Sequence, residues 1–137
     1  MLAATLMPDH LHMLVQLGCQ LKLGQMIAKY KTLTRPALSG AGLVWQDNFH
    51  DHRLRADEMS GAFAKYIFLN PYRKGLLRVR EEWPWWVCHR EFRPDFFEIL
   101  AEGRFPHAEW LATGDSIDAL VERDFAEAEE AADGDCA

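Results

Sequence analysis

The chain has 137 residues, of which 49% are hydrophobic and 26% are charged, a composition typical of one soluble domain with a buried core. No run approaches the roughly 18 consecutive apolar residues of a membrane span, and the early histidines exclude the unbroken apolar region of a signal peptide. The net charge of −6 hides an asymmetry, because residues 1–80 carry 11 Lys+Arg against 5 Asp+Glu and residues 81–137 carry 4 against 16. We therefore expect a cytoplasmic protein with no membrane partner, and the basic part leaves a nucleic-acid partner open.

The first predicted element is a tight β-hairpin or a bulged strand pair. Residues 2–7 and 10–17 are mostly apolar, and the Pro-Asp pair between them is a turn signal. His10 and His12 open the second strand. Residues two apart on a strand point to the same face, so both imidazoles can reach one metal ion. A His-x-His pair is also common as an ordinary surface or core feature, so the spacing alone leaves both interpretations open.

An amphipathic helix with a basic flank follows the hairpin. In residues 23–33, apolar side chains recur at helical spacing and lysines lie on the remaining surface. Pro36 and the glycines after it predict a loop, and residues 43–55 have a pattern suited to one strand or two short strands.

A second helix is predicted from an N-cap at Asp57, because the apolar residues after it recur at i, i+4, i+7 and i+8. Asn70 precedes Pro71, where the helix should end, so Asn70 should lie in its last turn. Tyr66 and Asn70 are four residues apart, so their side chains are neighbours on one face. On spacing alone, a core aromatic and a helix cap are the simpler interpretation of this pair.

The rest of the chain changes from aromatic to acidic. Three tryptophans between residues 83 and 86 are candidates for stacking on bases, although tryptophans at this density more often belong to a core. A last helix is predicted from Asp115 or Ser116 to about residue 130, followed by a disordered acidic end at residues 131–137.

Two segments resemble a known family. Residues 6–15, LMPDHLHMLV, closely resemble the HUH signature of the single-tyrosine HUH transposases, and residues 66–76, YIFLNPYRKGL, resemble their nucleophile helix and its exit. Between them, residues 44–46 and 49–55 resemble a segment typical of the REP-associated branch of that family. Residues 83–85 resemble the family's sequence after the nucleophile helix. The resemblance covers residues 2 to about 86.

The resemblance implies an α+β fold: a ferredoxin-like antiparallel sheet with helices packed on one face, from which the family's first strand and helix are missing here. It implies a metal-dependent transposase that nicks and rejoins single-stranded or hairpin DNA through a 5′-phosphotyrosine intermediate. Tyr66 would be the nucleophile, and His10, His12 and Asn70 would hold Mg²⁺ or Mn²⁺. We expect a monomer or a homodimer. The basic residues expected nearest the DNA are Lys29, Lys31, Arg53, Arg55, Arg73 and Lys74.

We expect a catalytic domain at residues 1–88 and an acidic, mostly helical extension at residues 89–130, before the end at 131–137. Three alternatives stay open: an inactive DNA-binding remnant of such a transposase, a small metal-dependent hydrolase that uses water, and a non-enzymatic module acting through its acidic end. For a metal site, His50 and His52 form a rival His-x-His pair. The arginines directly after that pair would repel a cation, which favours the first pair.

Overall fold

The structure is a computed structural model, and it describes residues 1–54 and 60–112. The chain divides into two compact units. The sheet unit contains residues 1–15 and the described residues from Arg53 onward, and the helical unit contains residues 16–52. Some predictions fall outside the described residues: the N-cap Asp57, the candidate DNA contact Arg55, the last helix from Asp115 or Ser116, and the end at 131–137.

Three antiparallel strands form the sheet. Strands β1 (Ala3–Leu6) and β2 (Leu11–Leu14) make the predicted hairpin, and β3 (Trp86–Cys88) pairs with the other edge of β1, in the order β2-β1-β3. The register places Thr5 opposite His12, so these two side chains share one face of the sheet. Together with the helices, this sheet confirms the predicted α+β class and its ferredoxin-like arrangement.

Helix α2 (Ser60–Arg73) packs on β1 and β2 through an apolar stripe that includes Phe63 and Ile67. It continues through Pro71 to Arg73, past the predicted end at Asn70-Pro71, because burial of this stripe outweighs the one backbone hydrogen bond that a proline removes. Asn70 still lies in the last turn, as predicted. The helix ends in a Schellman motif, in which Leu76 N–H donates to the Pro71 carbonyl (3.0 Å) and Gly75 has a φ of 68°.

The helical unit corrects two predictions. Helix α1 (Leu23–Gly40) passes through Pro36, so the loop predicted there is wrong; the residue is exposed, and water can bind the carbonyl that loses its donor. The strand predicted at residues 43–55 does not form in its described part, residues 43–54. Two carbonyls of that segment instead accept hydrogen bonds from the Lys31 ammonium.

Residues 89–112 pack against α2 in the sheet unit. They contain a 3₁₀ helix (Asp95–Ile99) and a short helix, α3 (Glu109–Ala112), joined by turns and loops. Phe96 of the 3₁₀ helix is buried, with its ring centroid 5.4 Å from that of Phe68 in α2 and 6.5 Å from that of Trp110 in α3. Residues on both sides of position 88 therefore contribute to one packed core. Within residues 1–54 and 60–112, no helix is long and apolar enough to cross a membrane.

Candidate active site

The two histidines of the hairpin converge on one point. His10 ends the turn and His12 lies in β2, and their Nε2 atoms are 3.0 Å apart. On its other side, His10 Nδ1 lies 2.6 Å from a carboxylate oxygen of Asp9. A hydrogen bond from Nδ1–H to a carboxylate fixes the tautomer that leaves Nε2 as a ligand, which is the usual arrangement around metal-binding histidines.

The separation of the two Nε2 atoms suits a shared metal ion. Two ligands at about 2.1 Å from one ion, at right angles, lie about 3.0 Å from each other. The observed distance of 3.0 Å is compatible with both atoms binding one such ion. The same separation also fits an N–H···N hydrogen bond from His12 to His10, which would hold the rings in this arrangement.

The protonation of this turn favours ligand chemistry. Burial, and then the charges of His10 and Lys74, lower the pKa of His12 from 6.5 to about 4, so that its imidazole is neutral at pH 7. A neutral imidazole keeps the lone pair that a metal requires. The hydrogen bond and the charge interaction with His10 lower the pKa of Asp9 below its ordinary value, so its carboxylate stays ionised.

Tyr66 is the tyrosine that adjoins the histidines. It lies on α2 and is half-buried, with its ring centroid 6.0 Å from that of His12. The second tyrosine of the helix, Tyr72, is buried; its hydroxyl donates to the Glu81 carbonyl at 2.7 Å, and burial raises its pKa. Of the two tyrosines on α2, Tyr66 is therefore the one whose ring lies next to the histidine pair.

Asn70 lies one helical turn after Tyr66. It is 5% exposed, and its Oδ1 atom has no hydrogen-bond partner among the described residues. A buried amide oxygen without a partner is costly and suits a cation. Within residues 1–54 and 60–112, no three or more His, Cys, Asp and Glu residues cluster as metal ligands. A third protein ligand taken from the described residues would then be of another type, such as the Asn70 amide oxygen.

Two of the candidate DNA contacts lie at the end of α2. The charge of Lys74, which is exposed, helps to lower the pKa values of His12 and Asp9, so it acts at the histidine turn. The guanidinium carbon of Arg73 lies 5.8 Å from the Tyr66 ring centroid, and its Nη2 donates to the Trp110 carbonyl at 3.2 Å. Both cations thus belong to the surroundings of the candidate site.

The remaining candidates are divided between the two units. Lys29 is exposed on α1, and the ammonium of Lys31 is held by backbone carbonyls of its own helical unit. Arg53, in the sheet unit, is exposed.

The rival pair, His50 and His52, lies in a segment without strand structure, so the two-residue alternation that would align its rings is missing.

The sequence alone does not predict several features of the site. The sequence assigns Asp9 only to the turn, although a carboxylate next to a candidate ligand is a usable signal. Thr5, opposite His12, is fully buried, and its hydroxyl has no hydrogen-bond partner among the described residues. The three tryptophans predicted as either stacking or core residues have different environments. Trp86 packs on Phe68, and Trp83 Nε1 donates to the Leu6 carbonyl at 3.1 Å. The tryptophan between them, Trp85, is exposed.

Comparison with known proteins gives two relatives. The chain is 24% identical over 110 residues to a Haemophilus influenzae protein assigned as a REP-associated tyrosine transposase, covering 69% of this chain and 62% of the relative. It is 24% identical over 101 residues to the REP-associated tyrosine transposase of Escherichia coli K12, covering 71% of this chain and 59% of the relative. The chain thus spans about three fifths of the length of these relatives. No protein-family model and no solved structure matches it.

An antiparallel sheet with a paired-histidine turn, facing a tyrosine on a packed helix, is the architecture that the HUH motifs predict. The chain is a distant relative of the REP-associated tyrosine transposases, which confirms the family predicted from its motifs. Both of the relatives that carry this similarity are named as transposases.

Proposed function

We propose that this chain is a transposase that nicks and rejoins single-stranded or hairpin DNA, with Tyr66 as its nucleophile. A divalent ion, Mg²⁺ or Mn²⁺, would be held by His10, His12 and Asn70. The observation that carries the proposal is the convergence of the two imidazole Nε2 atoms at 3.0 Å beside the Tyr66 ring. The similarity to two tyrosine transposases supports the same chemistry.

The reaction exchanges one phosphate ester for another. The Tyr66 hydroxyl loses its proton as its oxygen attacks the scissile phosphorus. The bond from phosphorus to the 3′-oxygen breaks, and the 3′-oxygen leaves and takes up a proton, so that no net proton is consumed. The 5′-phosphate is then an ester of Tyr66. Because this ester replaces the one that was broken, a 3′-hydroxyl from another strand can attack it, release Tyr66 and rejoin DNA without ATP.

The residues of the chain prepare this step in different ways. Bound at two neutral imidazoles and one neutral amide, a divalent ion would keep its full charge for the phosphate oxygens. Asp9 orients the His10 ring, and burial keeps His12 neutral. Arg73 and Lys74 add positive charge on the side of Tyr66, where a DNA backbone would lie. An unpaired strand is the expected substrate because a duplex restricts access to the scissile phosphate.

The direct test is a denaturing-gel assay with purified protein, Mn²⁺ and hairpin oligonucleotides labelled at either the 5′ or the 3′ end. The natural chain should retain the 3′-labelled fragment in a protein-bound band and release the 5′-labelled fragment. Tyr66→Phe and His10→Ala should abolish that band. Tyr72→Phe is the matched control, since it removes a phenol from the same helix whose hydroxyl is already engaged with the Glu81 carbonyl.

Other outcomes would contradict the proposal in distinct ways. Nicking without a protein-bound band that survives Tyr66→Phe would indicate a hydrolase that uses water. Binding of the hairpin with no cleavage would indicate an inactive DNA-binding relative. A band that persists in Tyr66→Phe and disappears in Tyr72→Phe would assign the nucleophile to Tyr72 instead.

A further inference from the structure

The helical unit contains a cavity that the proposed active site does not use. It lies between the C-terminal half of α1 and the segment at residues 43–47, and its volume is about 320 Å³. The side chains that give it its character are two cations, one carboxylate and apolar groups: Lys31, Arg35, Asp47, Leu43, Val44 and Trp45.

The wall formed by residues 43–47 is fixed to α1 by side chains rather than by strand pairing. Trp45 Nε1 donates to the Thr34 hydroxyl at 2.8 Å, and the Trp45 ring centroid lies 5.9 Å from that of Tyr30. The Lys31 ammonium donates to the Gln46 carbonyl at 2.5 Å and to the Asp47 carbonyl at 3.1 Å. A cavity held by such contacts is preformed, so a ligand would lose little free energy in ordering it.

The cavity carries positive charge. The partners of Lys31 are neutral carbonyls, so its charge is not cancelled by its hydrogen bonds. Arg35 is exposed and forms no salt bridge within the described part of the chain. Asp47 is the acidic residue of the lining, so two cations stand against one carboxylate. The cavity therefore favours an anionic group beside Arg35.

The rest of the lining is apolar and aromatic. Val44 is 88% exposed and Leu43 is 55% exposed, so two neighbouring apolar side chains lie open to solvent beside the charged groups. Together with Trp45 they offer a surface on which a flat, uncharged ring can pack. A ligand with an anionic group and a planar ring matches both halves of the cavity.

We infer that this cavity is a subsite for one unpaired nucleotide of a DNA strand, with the phosphate at Arg35 and Lys31 and the base against Trp45 and Val44. Its volume of about 320 Å³ lies at the low end of small-ligand cavities, which suits one nucleotide. Aromatic and basic side chains together are the usual means of holding single strands without base pairing. The identity of the strand as DNA rests on the proposed function, whereas the subsite itself rests on the cavity.

The test measures binding of fluorescein-labelled oligothymidylate of eight nucleotides to the full chain, at several salt concentrations. Arg35→Ala should weaken binding about tenfold and lower the salt slope by about 0.7, the value for one phosphate contact on a single strand. Val44→Asp, which places a negative charge at the exposed rim, should weaken binding to a similar extent. Neither residue is buried, so both variants should fold.

Matched controls make the result specific. Arg90→Ala removes an exposed arginine outside the cavity, and Leu33→Asp places a negative charge at an exposed residue of α1 that does not line the cavity, so both should bind as the natural chain does. Weakening by Arg35→Ala and Val44→Asp alone would support the subsite. Equal affinity in all four variants would overturn it, even if the Tyr66 adduct forms normally. Weakening confined to the two cavity variants, with no adduct in any protein, would support the subsite and reject the transposase chemistry.

Discussion

Replacing Asn70 with leucine is expected to stabilise the metal-free protein. Asn70 is almost fully buried on α2, and its Oδ1 has no hydrogen-bond partner among the described residues. A buried polar atom without a partner costs about 1–3 kcal/mol, and an apolar side chain of similar volume removes that cost. Most substitutions of a buried residue lower the free energy of unfolding. An increase in Asn70→Leu would therefore indicate that Asn70 serves a function other than stability.

The magnitude can be stated for two conditions. In buffer with EDTA, we expect Asn70→Leu to raise the free energy of unfolding by about 1–2 kcal/mol. With Mn²⁺ at a hundred times its dissociation constant, the natural chain should gain about 2.7 kcal/mol, because the ion binds the folded state. Asn70→Leu should gain far less. Urea unfolding followed by far-ultraviolet circular dichroism measures both differences.

Thr5→Val is the matched control for this experiment. The Thr5 hydroxyl is also buried and lacks a hydrogen-bond partner within the described residues, so valine should stabilise the fold in the same way. It should leave the response to Mn²⁺ intact, because Thr5 is not a proposed ligand. If Asn70→Leu instead destabilises the protein in EDTA and keeps the full response to Mn²⁺, the amide is structural and the proposed ligand set is wrong.

Three further results are expected. The pKa of His12 is about 4 in the folded chain against 6.5 when unfolded, so its contribution to metal-free stability is full above pH 6.5 and is lost as the pH falls toward 4. This contribution to the free energy of unfolding has an upper limit of about 3 kcal/mol and should be about 1 kcal/mol after solvent screening. Urea unfolding at pH 7.5 and at pH 5 should show the loss of stability at the lower pH. An equal loss of stability between these pH values in His12→Gln would contradict the assignment to His12. Asp9→Asn should weaken Mn²⁺ binding about 10- to 100-fold by calorimetry, because it removes the carboxylate on His10 Nδ1, and unchanged affinity would show that this contact does not orient the ring. Gly75→Ala should lower the free energy of unfolding by about 1–2 kcal/mol. The cause would be backbone strain at a φ of 68°, since no atom lies within 4 Å of the added methyl group. Gly24→Ala, inside α1, should not destabilise the protein, and equal effects of the two substitutions would refute this explanation.

The hairpin and the family can be predicted because their signals are local. Two mostly apolar segments around a Pro-Asp turn predict the hairpin, and pairing across this short turn puts His12 opposite Thr5. Four-residue spacing on a helix likewise brings Tyr66 and Asn70 to one face. The helical unit is harder to predict, because α1 continues through an exposed proline and residues 45–47 bond to side chains of α1. Both outcomes depend on solvent and long-range contacts that no local pattern contains.

The surroundings of the site also depend on long-range packing. Trp110 lies 37 positions after Arg73, yet its carbonyl accepts the Arg73 hydrogen bond and its ring contacts the Lys65 ammonium at 3.8 Å. An acidic C-terminal part gives no sequence signal for a contact of this kind. Asp9 is the opposite case. Its position next to His10 is evident from the sequence, whereas its hydrogen bond to the His10 ring is evident only from the structure.

The measurement that tests the central claim most directly is tandem mass spectrometry of the protein–DNA adduct after digestion with trypsin and nuclease. The chain contains three tyrosines, and cleavage after Lys65 and Arg73 gives one peptide with both Tyr66 and Tyr72. We expect the residual nucleotide on Tyr66, since Tyr72 is buried and hydrogen-bonded to Glu81. A nucleotide on Tyr72 or Tyr30, or no tyrosine-linked nucleotide from a reaction that has cleaved the DNA, would contradict the account.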